Sequence, residues 1–313
     1  MTLACGIDVG GTKIAGGVVD EAGRIIEELR VESPATDEEA IEQAIETLVA
    51  ELRARHDIAA VGVGVAGYIN RARSVVMFAA NMAVRDLDLK ADLEQRLDLP
   101  VFIENDANAA AWGEFQFGAG HDVEELLLVT VGTGIGGGVV LDGQLYRGAF
   151  GVGAEIGHLR VVPDGLPCGC GNRGCFEMYA SGNALVRRAR AAASTGSPAA
   201  ADLLGRAGGD PAGITGPLIT DAAHEGDAFA CEQLAELGRW LGEGIASITA
   251  VLDPALVVIG GGVSAADDLL LDPIRDGFAA QRPGHDRRPM LEIRKAELGN
   301  RAGMIGAADL TRH

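Results

Sequence analysis

The sequence has no basic run long enough to neutralise a phosphate backbone, and its formal net charge is −19. A nucleic-acid binder needs a basic face that displaces counterions, so neither nucleic acid nor an anionic membrane is an expected partner. The acidity reads as solubility, and a polyanionic substrate would have to be met by a local site. No uninterrupted apolar stretch reaches the ~18 residues of a membrane-spanning helix. The N-terminus, MTLACGIDVGG, lacks the charged and long apolar regions of a signal peptide. A soluble, cytoplasmic protein is expected. An even set of cysteines is also missing. The five are Cys5, Cys168, Cys170, Cys175 and Cys231, three of them crowded together. That argues against a secreted disulfide framework and for a metal site. The Walker run GxxxxGKS/T does not occur, so a P-loop is excluded.

Glycine, by contrast, is abundant at 45 of 313 residues, about twice its usual share. No collagen-like period explains the excess. The glycines sit beside apolar runs, which points to tight turns and to backbone lying close to a ligand. Hydrophobic residues make up 48%, enough for a large core. The length suits two domains or one two-lobed unit.

Residues 3–9 read as a buried strand, followed by a turn at Gly10-Gly11-Thr12, a strand from Ile14 to Val19 and another from Arg24 to Val31. Residues 37–55 carry Ile41, Ile45, Leu48 and Leu52 at helical spacing, with Thr36 or Asp37 as N-cap. Strands are expected at 61–65 and 101–104, and helices at 89–97 and 106–117. The second half opens with a strand at 126–131 and another at 139–141. A hairpin turn follows at Asp142-Gly143, and 144–146 pairs back. A long helix spans 227–252, a buried strand 256–259, and a C-terminal helix about 301–310. Residues 202–216, rich in Gly, Asp and Pro, read as a surface loop.

The sequence also repeats itself. Residues 11–19, GTKIAGGVV, recur as 132–140, GTGIGGGVV, with seven of nine positions identical. Each copy follows an apolar strand and precedes a strand ending at an Asp-containing turn. Two lobes of similar plan are expected, each aiming a strand-turn-strand loop at a shared cleft.

In the first loop, Asp8 ends the strand and Gly10, Gly11, Thr12 and Lys13 follow. Glycines let successive N–H groups converge on an anion. Thr12 adds a hydroxyl, Lys13 a charge, and Asp8 can hold a metal ion through water. A plain glycine hairpin remains the other reading of this loop. Thr133 and Gly134 hold the matching places in the second loop. Gly260-Gly261-Gly262 after a buried strand suits an adenosine slot or a simple strand-to-helix turn. In Glu104-Asn105-Asp106-Ala107-Asn108, Asp106 reads either as a helix N-cap or as a general base toward a hydroxyl. The most specific local signal is His158 followed by Cys168, Cys170 and Cys175. One imidazole and three thiolates make a closed, structural zinc set. Glu155 and Glu177 flank it; they read either as plain surface charge or as carboxylates suited to accept hydrogen bonds from sugar hydroxyls.

At these residues the sequence resembles the ROK family of bacterial sugar kinases and sugar-responsive repressors, over nearly the whole chain. The resemblance is carried by the cysteine motif with Glu155-Ile156-Gly157-His158 upstream, and by the run from Glu104 to Asn108. It implies an α/β, actin-like (ribonuclease H-like) two-lobed sugar kinase fold. The small lobe would be 1–107, completed by 300–313, and the large lobe 108–299 with the zinc motif. It implies ATP-dependent phosphorylation of a hexose, glucose foremost, with Asp106 as catalytic base. Gly67, Asn81, Asn105, Glu155, His158 and Glu177 would contact the sugar. Thr12, Lys13, Thr133 and Gly134 would meet the phosphates of MgATP, and Gly261 and Gly262 the adenosine. His158, Cys168, Cys170 and Cys175 would hold structural zinc. A homo-oligomer, dimer or tetramer, is the expected assembly. The sequence departs from the family's glucokinases after Asn81, where they tend to carry Trp near Val84. Other expectations left open are a different hexose or amino sugar (N-acetylmannosamine, fructose, allose), polyphosphate as donor, and a sugar-responsive regulator. The regulators carry an N-terminal winged-helix segment, whereas here the phosphate loop begins at Asp8.

Overall fold

The computed structural model describes residues 2–34, 36–79, 82, 84–284, 287 and 289–313. The chain divides into two compact units. One comprises Met1–Leu128, Gly137–Ala154 and Glu297–His313, the other Val129–Gly136 and Glu155–Ala296.

The first unit opens as an antiparallel meander of β1 (Leu3–Val9), β2 (Lys13–Val19) and β3 (Ile25–Glu32). β4 (Ile58–Val65) runs parallel to β1. A small sheet of β5 (Tyr68–Ile69), β6 (Val76–Ala79) and β7 (Val84–Leu87) intervenes before β8 (Val101–Asn105), which lies parallel to β4. The main sheet therefore has the order β3-β2-β1-β4-β8. Side chains alternate along β1, as a strand buried on both faces requires. Cys5, Ile7 and Val9 join Ile45, Leu48 and Leu52 of α1 (Glu38–Arg53) and Leu93 of α2 (Leu89–Leu97) in one core. Asp37 caps α1, accepting from the Ala40 amide, which resolves the choice between Thr36 and Asp37.

The other β1 positions, Ala4, Gly6 and Asp8, belong to the opposite face. Ala4 packs with Ile305 and Ala308 of the C-terminal helix (Ala302–Leu310). Gly6 lies beside Gly62 of β4 in register. A Cβ at Gly6 would collide with the Met304 carbonyl, and one at Gly62 with the Ala307 carbonyl. The two glycines thus make a smooth floor on which the helix backbone rests directly. α3 (Asp106–Phe117) is tied to this helix by Trp112 Nε1, which donates to Asp309 Oδ2 at 2.9 Å. The fully buried Glu114 accepts from the Ala119, Glu297 and Leu298 amides, holding the start of the C-terminal segment.

The second sheet has the order β11-β10-β9-β12-β13. Its strands are β9 (Leu126–Val131), β10 (Ile135–Leu141), β11 (Gln144–Leu145), β12 (Leu256–Gly260) and β13 (Glu292–Lys295). In each sheet the third strand is followed in space by the second, first, fourth and fifth. The repeated glycine segment thus occupies equivalent places, leading into β2 and β10. Asp142 and Gly143 both have positive φ, 51° and 69°, as a tight two-residue hairpin demands.

The second unit adds α4 (Glu177–Ala180), α5 (Gly182–Ser194), α6 (Ala201–Arg206), α7 (Gly216–His224), α8 (Ala228–Leu252) and α9 (Asp268–Gln281). Residues 202–216 are not the expected loop. They hold most of α6, a 3-10 turn at Pro211–Gly213 and the start of α7. The polar residues act as caps: Asp210 accepts from the Ala212 amide and Thr215 from Leu218. Leu203 and Ile214 are buried and pin the segment down. Among the described residues, no helix is long and apolar enough to cross a membrane.

Candidate active site

The loop joining β1 and β2 is closed by the Gly10 amide donating to the Lys13 carbonyl at 3.0 Å. Thr12 and Lys13 are exposed at its tip. Among the described residues the Gly11 and Thr12 amides have no hydrogen-bond partner. These donors are open to water or to an anion. Asp8, at the foot of the loop, is half-buried. Burial, and then the charge of Asp106, push its carboxyl up to about 6. A carboxylate so destabilised gains from a nearby cation, and its oxygens suit a hard ion such as Mg²⁺.

Asp106 does not cap α3. Asn105 does, its Oδ1 accepting from the Asn108 amide at 3.0 Å, and Asp106 is the first helical residue. This overturns the N-cap reading of Asp106. Burial raises the Asp106 carboxyl, against the lowering pull of the Ala107 amide, its own amide and Asn105 Nδ2. A raised carboxyl at the mouth of a helix suits proton acceptance better than an ordinary one. Asn105 Nδ2 also donates to the Gly67 carbonyl at 3.1 Å, so Gly67, Asn105 and Asp106 are brought together. A Cβ at Gly67 would lie 2.6 Å from the Phe78 carbonyl oxygen, so only glycine fits. Gly303 of the C-terminal helix faces both acids: a Cβ there would sit 3.7 Å from Asp8 Cγ and 3.8 Å from the Asp106 carbonyl oxygen.

Joined to Asn105 and Asn108 is a buried ion cluster that sequence reasoning did not find. Glu104 is 2% exposed. Its Oε1 accepts from the Asn105 amide at 2.9 Å and from Asn108 Nδ2 at 3.1 Å. Its Oε2 pairs with Arg147 Nε at 2.7 Å and Arg73 Nε at 3.3 Å. An acid ending the apolar run Val101-Phe102-Ile103 was the available signal; nothing in the sequence named its partners.

In the second unit, Thr133 is exposed at the tip of the second loop, whose Gly132 amide donates to the Gly134 carbonyl. A Cβ at Gly134 would sit 2.6 Å from Glu177 Oε2, so this loop and Glu177 adjoin. Gly261 has φ 81° and a Cβ there would lie 2.6 Å from the Val131 backbone, whereas a Cβ at Gly262 would meet nothing within 4 Å. Gly261 is thus required by the fold, and Gly262 leaves an open face.

His158, Cys168, Cys170 and Cys175 converge, with ligand atoms all within 4.8 Å of one another. Cys170 Sγ and Cys175 Sγ are 3.6 Å apart, and Cys168 Sγ and His158 Nδ1 are 3.8 Å apart. Bonds of about 2.3 Å to a tetrahedral zinc give edges of about 3.8 Å. The separations fit a bound ion, and the three cysteines are free rather than joined in disulfides. The buried Phe176, next to Cys175, packs against Gly244 of α8 and anchors the motif. Glu177 Oε1 lies 3.0 Å from Cys168 Sγ and 3.6 Å from His158 Nδ1, while Glu155 Oε2 is 4.0 Å from His158 Nε2. Both expected sugar carboxylates therefore flank the metal set, one on each ring nitrogen of His158. Ala154, preceding Glu155, takes φ 66°, a region that non-glycine residues seldom enter. Asn81 lies outside the described residues.

The ROK family model matches residues 4–313. A glucokinase from Streptomyces coelicolor is 49% identical over 312 residues, covering 100% of this chain and 98% of that protein. A ROK family glucokinase from Streptomyces griseus, solved in complex with glucose and AMPPNP, is 50% identical with a TM-score of 0.92, covering 99% of both chains. The ROK hexokinase from Thermus thermophilus is 35% identical with a TM-score of 0.77, covering 98% of this chain and 97% of that one. The α/β fold, with its twice-used strand order, is the actin-like sugar kinase fold.

Proposed function

The chain belongs to the ROK family, and from that membership we propose that it is an ATP-dependent hexose kinase carrying the γ-phosphate of ATP to the 6-hydroxyl of glucose. The observation that carries this is the full-length likeness, at 50% identity and TM-score 0.92, to a glucokinase holding glucose and AMPPNP. Asp106 takes the proton of the 6-hydroxyl as that oxygen attacks the γ-phosphorus, and ADP departs. The raised Asp106 carboxyl supports this role, since a base works best with a pKa near the working pH. Asn81, Gly67, Asn105, Glu155, His158 and Glu177 orient the sugar. The open amides at Gly11 and Thr12, with Lys13, Thr133 and Gly134, position the phosphates, which is most of what phosphoryl transfer asks of a protein. Gly261 and Gly262 receive the adenosine.

Asp8 and Gly10 would face Mg²⁺ and its phosphates, the ion supplying charge stabilisation on the transferred group. His158, Cys168, Cys170 and Cys175 would hold zinc in a structural role, because four protein ligands leave no open position. The ion would brace Glu155 and Glu177 through their neighbours in the chain, His158 three residues after the one and Cys175 two residues before the other. The protein would work in the cytoplasm as a homo-oligomer, dimer or tetramer, and its net charge of −19 argues against nucleic-acid binding. A coupled assay across hexoses and amino sugars, with ATP or polyphosphate, tests the reading. Glucose with ATP should give the highest kcat/KM; a tenfold preference for another sugar or for polyphosphate would overturn it.

A further inference from the structure

The first unit holds a cavity of about 580 Å³ lined by Arg71, Arg73, Gln144, Tyr146 and Arg147, with Leu141 and Leu145 as its apolar wall. Among the described residues, no acidic one lines it. Three guanidiniums in one cavity stand out in a chain whose net charge is −19. Glu104 is the carboxylate that meets them, and it pairs with two of the three. That leaves an excess of two positive charges.

Backbone carbonyls fix Arg147. The terminal nitrogens of Arg147 donate to the Arg71 carbonyl at 2.9 Å and the Asn70 carbonyl at 3.2 Å, which fixes the plane of its guanidinium. Arg73 has φ 56°, in a turn that Asn70 ties by accepting from the Ser74 and Val75 amides. Arg73 meets Glu104 through Nε, which leaves its terminal nitrogens for an occupant. Burial, and the nearby charge of Arg147, pull the Arg73 guanidinium below its ordinary value, so a further anion would relieve it. Arg71 is exposed, and among the described residues its guanidinium reaches the Ala149 carbonyl alone, at a long 3.5 Å.

We propose that this cavity binds a phosphate dianion, either free or carried on a small organic body such as a sugar. A dianion matches the charge excess, and planar guanidinium forks pair with phosphate oxygens in two bonds at once. The hydroxyl of Tyr146 and the amide of Gln144 add donors of the right kind. The volume exceeds that of a phosphate ion, which leaves room for the organic body against the leucines. None of the residues assigned to ATP lines it, and the proposal does not depend on that assignment.

Calorimetric titration with inorganic phosphate and, separately, with hexose 6-phosphate tests this, each with and without saturating glucose and an unreactive ATP analogue. The expected result is one saturable phosphate site per chain that persists when glucose and the analogue are present. Arg71→Ala should weaken it by about tenfold or more, the worth of one charge-assisted hydrogen bond, with kcat unchanged. Lys13→Ala should leave it intact. Tenfold tighter binding of hexose 6-phosphate would identify the sugar-borne form, and equal binding the free ion. No saturable binding of either probe, or binding unchanged by Arg71→Ala, would overturn the proposal.

Discussion

Replacing Glu104 with Gln removes the carboxylate that faces Arg73 and Arg147 while keeping the side chain's length and one acceptor oxygen. The Glu104 side chain is 3% exposed and that of Arg147 9%, so neither charge is compensated by water once its partner is gone. Removing one partner of a buried pair costs about 3–5 kcal/mol. Arg73, 29% exposed beside an open cavity, can relax toward solvent, which favours the lower end, about 3 kcal/mol. Unfolding entropy of about 2.1 cal/mol/K per residue over 313 residues converts that to a fall in Tm of about 5 °C for a single transition. Scanning calorimetry reads it directly. Arg147→Met alone should also destabilise, and the double variant should cost clearly less than the two singles combined, with a coupling of about 1.5 kcal/mol or more. A Glu104→Gln Tm within about 1 °C of the parent, or strict additivity, would refute this account of the cluster.

Four further outcomes are expected. Asp106 must be ionised to accept a proton, and burial raises it, with Asp8 held at about 6 beside it; the active form is lost as pH falls through these raised values. The acid limb of kcat/KM should therefore lie above the ordinary carboxylate value of about 4, and a limb below that would contradict the assignment. Because the folded Asp8 binds its proton more tightly than the unfolded chain does, it costs stability once the pH exceeds about 4, fully above about 6; Asp8→Asn should raise Tm at pH 8 but not at pH 3.5. Cys170→Ser should lower zinc, measured by mass spectrometry, from about one per chain to a small fraction, with weaker glucose binding; a metal-free parent protein would sink the zinc assignment. Gly62→Ala should cost about 1–3 kcal/mol or more, because its Cβ meets the Ala307 carbonyl, whereas Gly205→Ala in α6 has open space and should be neutral or mildly stabilising.

Much of the fold was legible because its signals are local. The β1–β2 hairpin, the Asp37 cap and the Asp142-Gly143 turn each follow from two or three neighbouring residues. The repeat of residues 11–19 at 132–140 foretold the shared strand order of the two sheets. The metal set was legible for the same reason, its three cysteines being close in sequence. What could not be read depends on distant partners. Polarity concealed α6 and the turn at 211–213, where Asp210 and Thr215 serve as caps and Leu203 and Ile214 supply the burial. The short β5–β7 sheet offers too few residues for a periodic signal. Arg73 and Arg147 reach Glu104 from segments about 30 and 40 positions away, so only the fold reveals the cluster.

The account's central claim is that Asp106 takes the proton from the acceptor hydroxyl, and turnover of glucose with MgATP by Asp106→Asn tests it most directly. The expected result is a kcat lower by at least about two orders of magnitude with calorimetric glucose binding retained. Turnover equal to that of the parent protein would contradict it.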